Sequence, residues 1–307
     1  MLDYASLSAL AAVVREGSFD KAAIWLGVTP SAVSQRIKGL EERVGAILVT
    51  RGIPCAATET GARLCAHVEQ VRLLESEVTR DLPTLPGTGI GSGAGPSTLR
   101  VAVNADSMAT WFPLAATLFA EHTGAMLDLV LEDEAHTNER LKSGEVLAAV
   151  TSDGHPVNGC RCHPLGAIDY MAVASPSYMA RHFPDGVQAR ALEIAPILRF
   201  DRRDALQARW AREVWGVEQF TPPTHWVPST PGMLDLTLSG LGWSMTPVQL
   251  ARPQVESGRL VELSPASLLC VPLYWQRTRL EADLLQKLTR AVRTTAAGIL
   301  SSATPET

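Results

Sequence analysis

The sequence is poor in cysteine, aromatic side chains and surplus positive charge, and it has no long apolar run. Its five cysteines (Cys55, Cys65, Cys160, Cys162, Cys270) are an odd number scattered along 307 residues, unlike a secreted disulfide framework. A reducing compartment, and so a cytoplasmic protein, is expected. No segment reaches the roughly 18 uninterrupted apolar residues of a membrane helix. The N-terminus carries Asp3 and Glu16 instead of a basic region followed by an apolar core. Neither a signal peptide nor a membrane partner is expected. The formal net charge of −5 argues against a protein that simply coats nucleic acid. Also missing are G-x-S-x-G, a Walker loop, G-x-G-x-x-G after a strand and H-E-x-x-H. An enzyme reading therefore lacks a nucleophile, a phosphate cradle and a metal pair, and no catalytic residue, cofactor or metal is expected.

What is present is a soluble globular composition, 46% hydrophobic and 19% charged, in a chain long enough for two or three domains. Residues 83–97 read PTLPGTGIGSGAGPS, a stretch that buries no core and reads as a flexible hinge. Before it the apolar periodicity is helical; after it β-rich runs alternate with helical ones.

In the first segment Leu7, Leu10, Ala11 and Val14 share one helix face, and Phe19, Ala22, Ala23 and Leu26 another. Ser18 is a candidate N-cap and Gly27 a helix stop. Thr29-Pro30 is the strongest start signal in the chain, predicting a helix from Pro30 to Val44. At about 100° per residue, Val33, Ile37, Leu40 and Val44 cluster on one side, with Ser31, Ser34, Gln35 and Lys38 on the other. Small polar and basic residues on the free face suit a reading helix in a major groove, with Arg36 on the flank for a phosphate. Spacing alone equally describes a solvated face. The β-prone stretch 47–51, followed by Gly52 and Pro54, adds a wing with Arg51 at its edge. Beyond it, Leu64, Val68, Val71, Leu74, Val78 and Leu82 form a seam on a long helix that calls for a second copy.

The segment GSFDKAAIWLGVTPSAVSQRIKGLEERVG, followed by LVTR and TETG, resembles the winged helix-turn-helix of LysR-type transcriptional regulators. PSAVSQRIKGLE, VNADSMATW at 103–111 and PLYW at 272–275 look like the lysine/arginine-responsive branch of that family. The resemblance implies an α/β protein with an N-terminal winged helix-turn-helix and a long dimerisation helix, joined to a two-lobed effector domain like a periplasmic binding protein. The expected divisions are 1–58 for the DNA-binding domain, 59–82 for the linker helix, 83–97 for the hinge and 98–300 for the effector domain. The implied partners are double-stranded DNA, a small basic amino acid, further copies of the chain as homodimer or homotetramer, and RNA polymerase. The regulated gene would encode an amino-acid exporter. Two departures are visible: the wing has Leu48-Val49-Thr50-Arg51 where many members have Leu-Phe-x-Arg, and the hinge looks longer than usual.

Strands are expected at 99–103, 127–131 and 146–151, with one helix starting between Asn104 and Pro113 and ending near His122. A second half would follow Cys162, with strands at 171–174, 197–200 and 225–227 and a helix capped by Thr230-Pro231. Asn104, Ser107 and Thr110 follow the first strand and offer donors to a carboxylate at a helix start. Thr151, Ser229 and Thr230 occupy comparable ends. A cationic effector needs acidic partners, for which Asp106, Glu132, Asp133 and Asp201 are candidates because each follows a strand. Trp111 and Trp243 could flank an aliphatic stem, although large aromatics are more often core. Cys160-Arg161-Cys162-His163 is not a usual zinc spacing.

Two alternatives stay open: a regulator answering a different small carboxylate, and an α/β binding protein whose N-terminal helices only dimerise it. Residues 21–51 sharpen the charge argument, since Lys21, Arg36, Lys38, Arg43 and Arg51 face only Glu41 and Glu42, a local net of +3. The useful positive charge is confined to a small surface.

Overall fold

The computed structural model describes residues 3–81, 97–131 and 134–302. Three helices open the chain: α1 (Tyr4–Glu16), α2 (Phe19–Leu26) and α3 (Pro30–Val44). Their ends are set by the expected local chemistry. Ser18 accepts from the Lys21 amide, Gly27 takes a left-handed φ of 64°, and Thr29 Oγ1 accepts from the Ala32 amide with Pro30 at the first helical position. Strands β1 (Val49–Thr50) and β2 (Ala56–Ala57) pair antiparallel as a short wing. Helix α4 (Glu59–Asp81) leaves it. Gly61 is required at that junction, because a Cβ there would lie 2.1 Å from the Leu48 carbonyl oxygen. Leu7, Leu10, Val13, Val33, Ile37, Leu40, Leu48 and Val68 form the core of this region.

The seam expected along α4 is divided. Val68 is buried against the N-terminal helices, while Leu74 and Val78 are exposed. Leu73, outside the seam, joins the core of the C-terminal region. Leu82 and nearly all of the hinge lie outside the described residues.

The C-terminal region begins with β3 (Thr98–Val103), α5 (Ala105–Ala109), α6 (Phe112–Thr123), β4 (Met126–Leu131), α7 (Glu134–Ser143) and β5 (Ala148–Thr151). β3 pairs parallel with both β4 and β5, so the C-terminal ends of the three strands share one sheet edge. The single helix expected after β3 is two, broken at Thr110, whose backbone at φ −120°, ψ −85° is not helical.

Next come β6 (Cys160–Ala174), α8 (Pro176–His182), α9 (Ala189–Ile194), β7 (Ile197–Arg199), α10 (Leu206–Trp215) and β8 (Thr224–Trp226). They are followed by α11 (Thr230–Leu238), β9 (Ser244–Pro247), α12 (Val248–Glu256), β10 (Val261–Glu262), β11 (Leu269–Thr278) and α13 (Asp283–Ile299). The main sheet runs β10-β6-β11-β5-β3-β4, with β9 also on β6, and β7-β8 form a separate parallel pair. β6 and β11 pair antiparallel along their lengths and join the two lobes as a common spine. The short strand expected at 171–174 is therefore the end of a 15-residue strand. Pro164 and Gly166 hide its start, since both read as breakers; Pro164 is accommodated beside a register shift between Leu273 and Tyr274. Trp111, Trp210, Trp243, Trp275 and Tyr178 fill the interior.

Candidate functional site

Two groups of residues stand out, one on α3 and one where the lobes meet. On α3, Val33, Ile37 and Leu40 are buried, which turns Ser31, Gln35 and Lys38 outward with Ser34 and Arg36 half-exposed beside them. Ser31 Oγ lies 3.0 Å from Thr29 Oγ1 and so belongs to the helix cap. Lys38 reaches Glu42 at 3.9 Å, a weak exposed pair that leaves its ammonium available. On the wing Arg51 is exposed, its guanidinium 5.3 Å from the Phe19 ring centroid. The arrangement presents donors in front of a packed helix and a cation on the adjoining wing, the geometry a duplex groove requires.

At the lobe junction the central group is Asp106, on α5 of the first lobe. Its Oδ2 accepts from Tyr170 Oη on the spine strand β6 at 2.5 Å, and its Oδ1 accepts from Thr230 Oγ1 on α11 of the second lobe at 2.6 Å. Burial pushes the Asp106 carboxyl above the ordinary carboxylate range; the Thr230 and Tyr170 hydroxyls oppose that shift, and the nearby Asp204 charge adds to it. Asp204 itself is tied down by the amides of Phe200 and Leu206, each at 3.0 Å.

The remaining expected residues divide into neighbours of this carboxylate and others. Asn104 caps α5 by accepting from the Ser107 amide at 2.8 Å, so that amide is satisfied from within. Ser107 is fully buried and its Oγ accepts from Trp111 Nε1 at 3.0 Å. Trp111 is core, packed edge-on to Phe112, and does not flank a cleft; Trp243 is likewise core, against Trp210 and Phe220. Thr110 Oγ1 donates to the Asp106 carbonyl at 2.6 Å. Thr151 ends β5, next to the β3 edge that leads to Asn104, and accepts from the Asp153 amide at 3.2 Å. The cap of α11 is Ser229, which accepts from the Gly232 amide. This corrects the expectation that Thr230 caps it: Thr230 is the first helical residue, and its hydroxyl is free to reach across to Asp106. Asp201 accepts from the Arg203 and Asp204 amides and shapes a turn, with no direct link to Asp106. Glu132 and Asp133 lie outside the described residues.

Tyr170 and Asp204 were not among the expected residues. Tyr170 did leave a signal, a polar-tipped aromatic directly before the apolar run Met171–Ala174. Asp204 left none, since its bearing on Asp106 comes only from the fold. Among the described residues no group of three His, Cys, Asp or Glu is placed to hold a metal ion, and no helix is long and apolar enough to cross a membrane.

A reading helix with a wing, joined to a two-lobed α/β region with a buried carboxylate at the junction, defines a ligand-responsive DNA-binding regulator. The chain matches "Bacterial regulatory helix-turn-helix protein, lysR family" over residues 4–62 and "LysR substrate binding domain" over 92–297. It belongs to the LysR family of transcriptional regulators. Within that family it is 44% identical over 289 residues to the HTH-type transcriptional regulator ArgP of Pseudomonas aeruginosa, covering 94% of each chain. The crystal structure of ArgP from Mycobacterium tuberculosis superposes with a TM-score of 0.80 at 42% identity, covering 99% of this chain and 100% of that one. Full-length LysG from Corynebacterium glutamicum with bound effector Arg gives 0.70 at 37% identity, covering 98% and 100%.

Proposed function

We propose that this regulator binds arginine or lysine between its lobes, with Asp106 receiving the cationic group, and passes the binding event to DNA-reading heads formed by α3 and the wing. The observation that carries this reading is the Asp106 carboxylate, which is buried and held by hydroxyls from the spine and from the opposite lobe. A buried carboxylate pushed out of its ordinary range gains most from a cation, because a charge-assisted pair replaces two neutral donors. The LysG structure with bound Arg supports the same chemical class. Ser31, Ser34 and Gln35 face base edges, Arg36, Lys38 and Arg51 face phosphates, and Asn104, Ser107, Thr110, Thr151 and Ser229 surround the ligand end of the lobes.

The ligand acts by binding one arrangement of the lobes better than another, since equal affinity for both shifts nothing. The exposed Leu74 and Val78 of α4 supply apolar surface for pairing with a second copy, in a homodimer or in a homotetramer assembled from two dimers. The regulated gene in this reading encodes an amino-acid exporter, with RNA polymerase as the downstream partner. Calorimetric titration of the full chain with arginine, lysine and histidine tests the ligand class. Saturable heat with arginine or lysine is expected; no saturation with any of the three would remove the basic amino acid and leave a different small carboxylate as the effector.

A further inference from the structure

A second charged site lies away from the lobe junction, between the spine and α13. An open basin of about 700 Å³ is lined by Arg161, His163, Arg277, Glu281, Arg290 and Arg293, among others. The strand register sets Arg161 directly opposite Arg277, an unfavourable pairing of like charges unless an anion serves both. One carboxylate is shared between them: Glu281 lies 2.8 Å from Arg161 and 4.0 Å from Arg277. Arg277 is 5% exposed, a depth at which a cation is costly, and its Nε has no hydrogen-bond partner among the described residues. Its Nη1 is committed to the carbonyls of Thr278 and Leu280.

Helix α13 adds Arg290 and Arg293, one turn apart, which have no ion-pair partner among the described residues. Its position is fixed by Trp275 Nε1, which donates to Thr289 Oγ1 at 3.1 Å. Four guanidinium groups thus line one basin that holds a single carboxylate, in a chain whose total charge is −5. His163 reports the same field: burial, then the charges of Arg293, Arg277 and Arg161, hold its imidazole below the usual histidine value.

We propose that this basin binds a small polyanion carrying two adjacent phosphoryl groups. The cations form two pairs, one across the strands and one along the helix, each with a spacing of roughly 5–6 Å between backbones. Guanidinium forks match phosphate oxygens, and two such pairs match two linked phosphates better than one. The basin has the volume of a small-molecule site and is open to solvent, which suits a strongly hydrated anion. The diphosphate could be free or carried by a nucleoside, and the chemistry recognised is common to both.

Calorimetry on the full chain at about 0.15 M salt, with inorganic pyrophosphate and with ADP as separate probes, tests the proposal. One saturable site per chain is expected for pyrophosphate. The double variant Arg290→Ala/Arg293→Ala, altered on an exposed helix face and checked by its melting curve, should weaken binding about tenfold or more. Glu281→Gln removes the competing carboxylate and should tighten binding about two- to fivefold, a gain that mere support of the fold would not produce. ADP binding as tightly as pyrophosphate assigns the site to nucleotides, and weaker ADP binding to the free diphosphate. Absence of saturable binding by either probe, or equal binding by the double variant, overturns the proposal. So does a changed oligomeric state of the double variant without pyrophosphate binding by the parent, which would assign the arginines to a protein interface.

Discussion

Tyr170 on the spine strand and Thr230 on the second lobe donate to different oxygens of the one Asp106 carboxylate, at 2.5 Å and 2.6 Å. The carboxylate thereby links three elements far apart in the sequence, and any ligand cation that replaces either hydroxyl changes what holds the lobes together.

Asp106→Asn keeps the shape and removes the charge. Arginine affinity is expected to fall about thirtyfold or more, the usual cost of losing one member of a buried charge-assisted pair. Calorimetry measures the fall, and an unchanged affinity would place the ligand cation elsewhere.

The same carboxyl makes ligand binding depend on pH. Burial raises its value above the ordinary carboxylate range, so arginine affinity falls as pH drops through that raised value and levels off above it. The stability term has the opposite sense. A folded-state value above the unfolded one favours the protonated form, so the penalty is absent in acid, grows as pH rises toward the folded value and is constant beyond it. Asp106→Asn should therefore melt above the parent at neutral pH, with the gap closing in acid.

On the reading helix, Arg36→Ala should weaken DNA binding on all sequences alike and reduce the salt slope by about one unit, as for a lost phosphate contact. Gln35→Ala should instead relax discrimination at particular base pairs, each worth about 1–3 kcal/mol. Mobility shifts at several salt concentrations on matched and altered sites separate the two behaviours.

Gln276 tests the spine. Its buried amide accepts from the Val157 amide and donates to the carbonyls of Asp153 and His155. Gln276→Leu keeps bulk but strands these groups, and a loss of about 2–4 kcal/mol is expected in denaturant melts.

The N-terminal helices were legible because their signals are local: Ser18, Gly27, Thr29 and Pro30 act within one turn of where they stand. The parallel trio β3, β4 and β5 was legible from apolar runs bounded by turn residues. The spine was not, because Pro164 and Gly166 sit inside a strand that tolerates them only through the register shift opposite. Asp106 and Thr230 were each expected near the ligand, but their bond to one another and the part of Tyr170 in it were not, since Tyr170 and Thr230 lie 64 and 124 residues from Asp106 in the sequence. Trp111 stays open between cleft and core in the sequence, because a large aromatic beside a polar loop reads alike whether it packs inward or outward; its near-complete burial puts it in the core, the more common case.

The central claim is that a basic amino acid at Asp106 alters how this protein holds DNA. A footprint upstream of a neighbouring exporter gene, recorded with and without arginine, tests it most directly. The account predicts a protected region lost on changing Ser34 and Arg36 to Ala and altered in extent or spacing when arginine is added. Identical protection with and without arginine or lysine, or no sequence-specific protection at all, would contradict it.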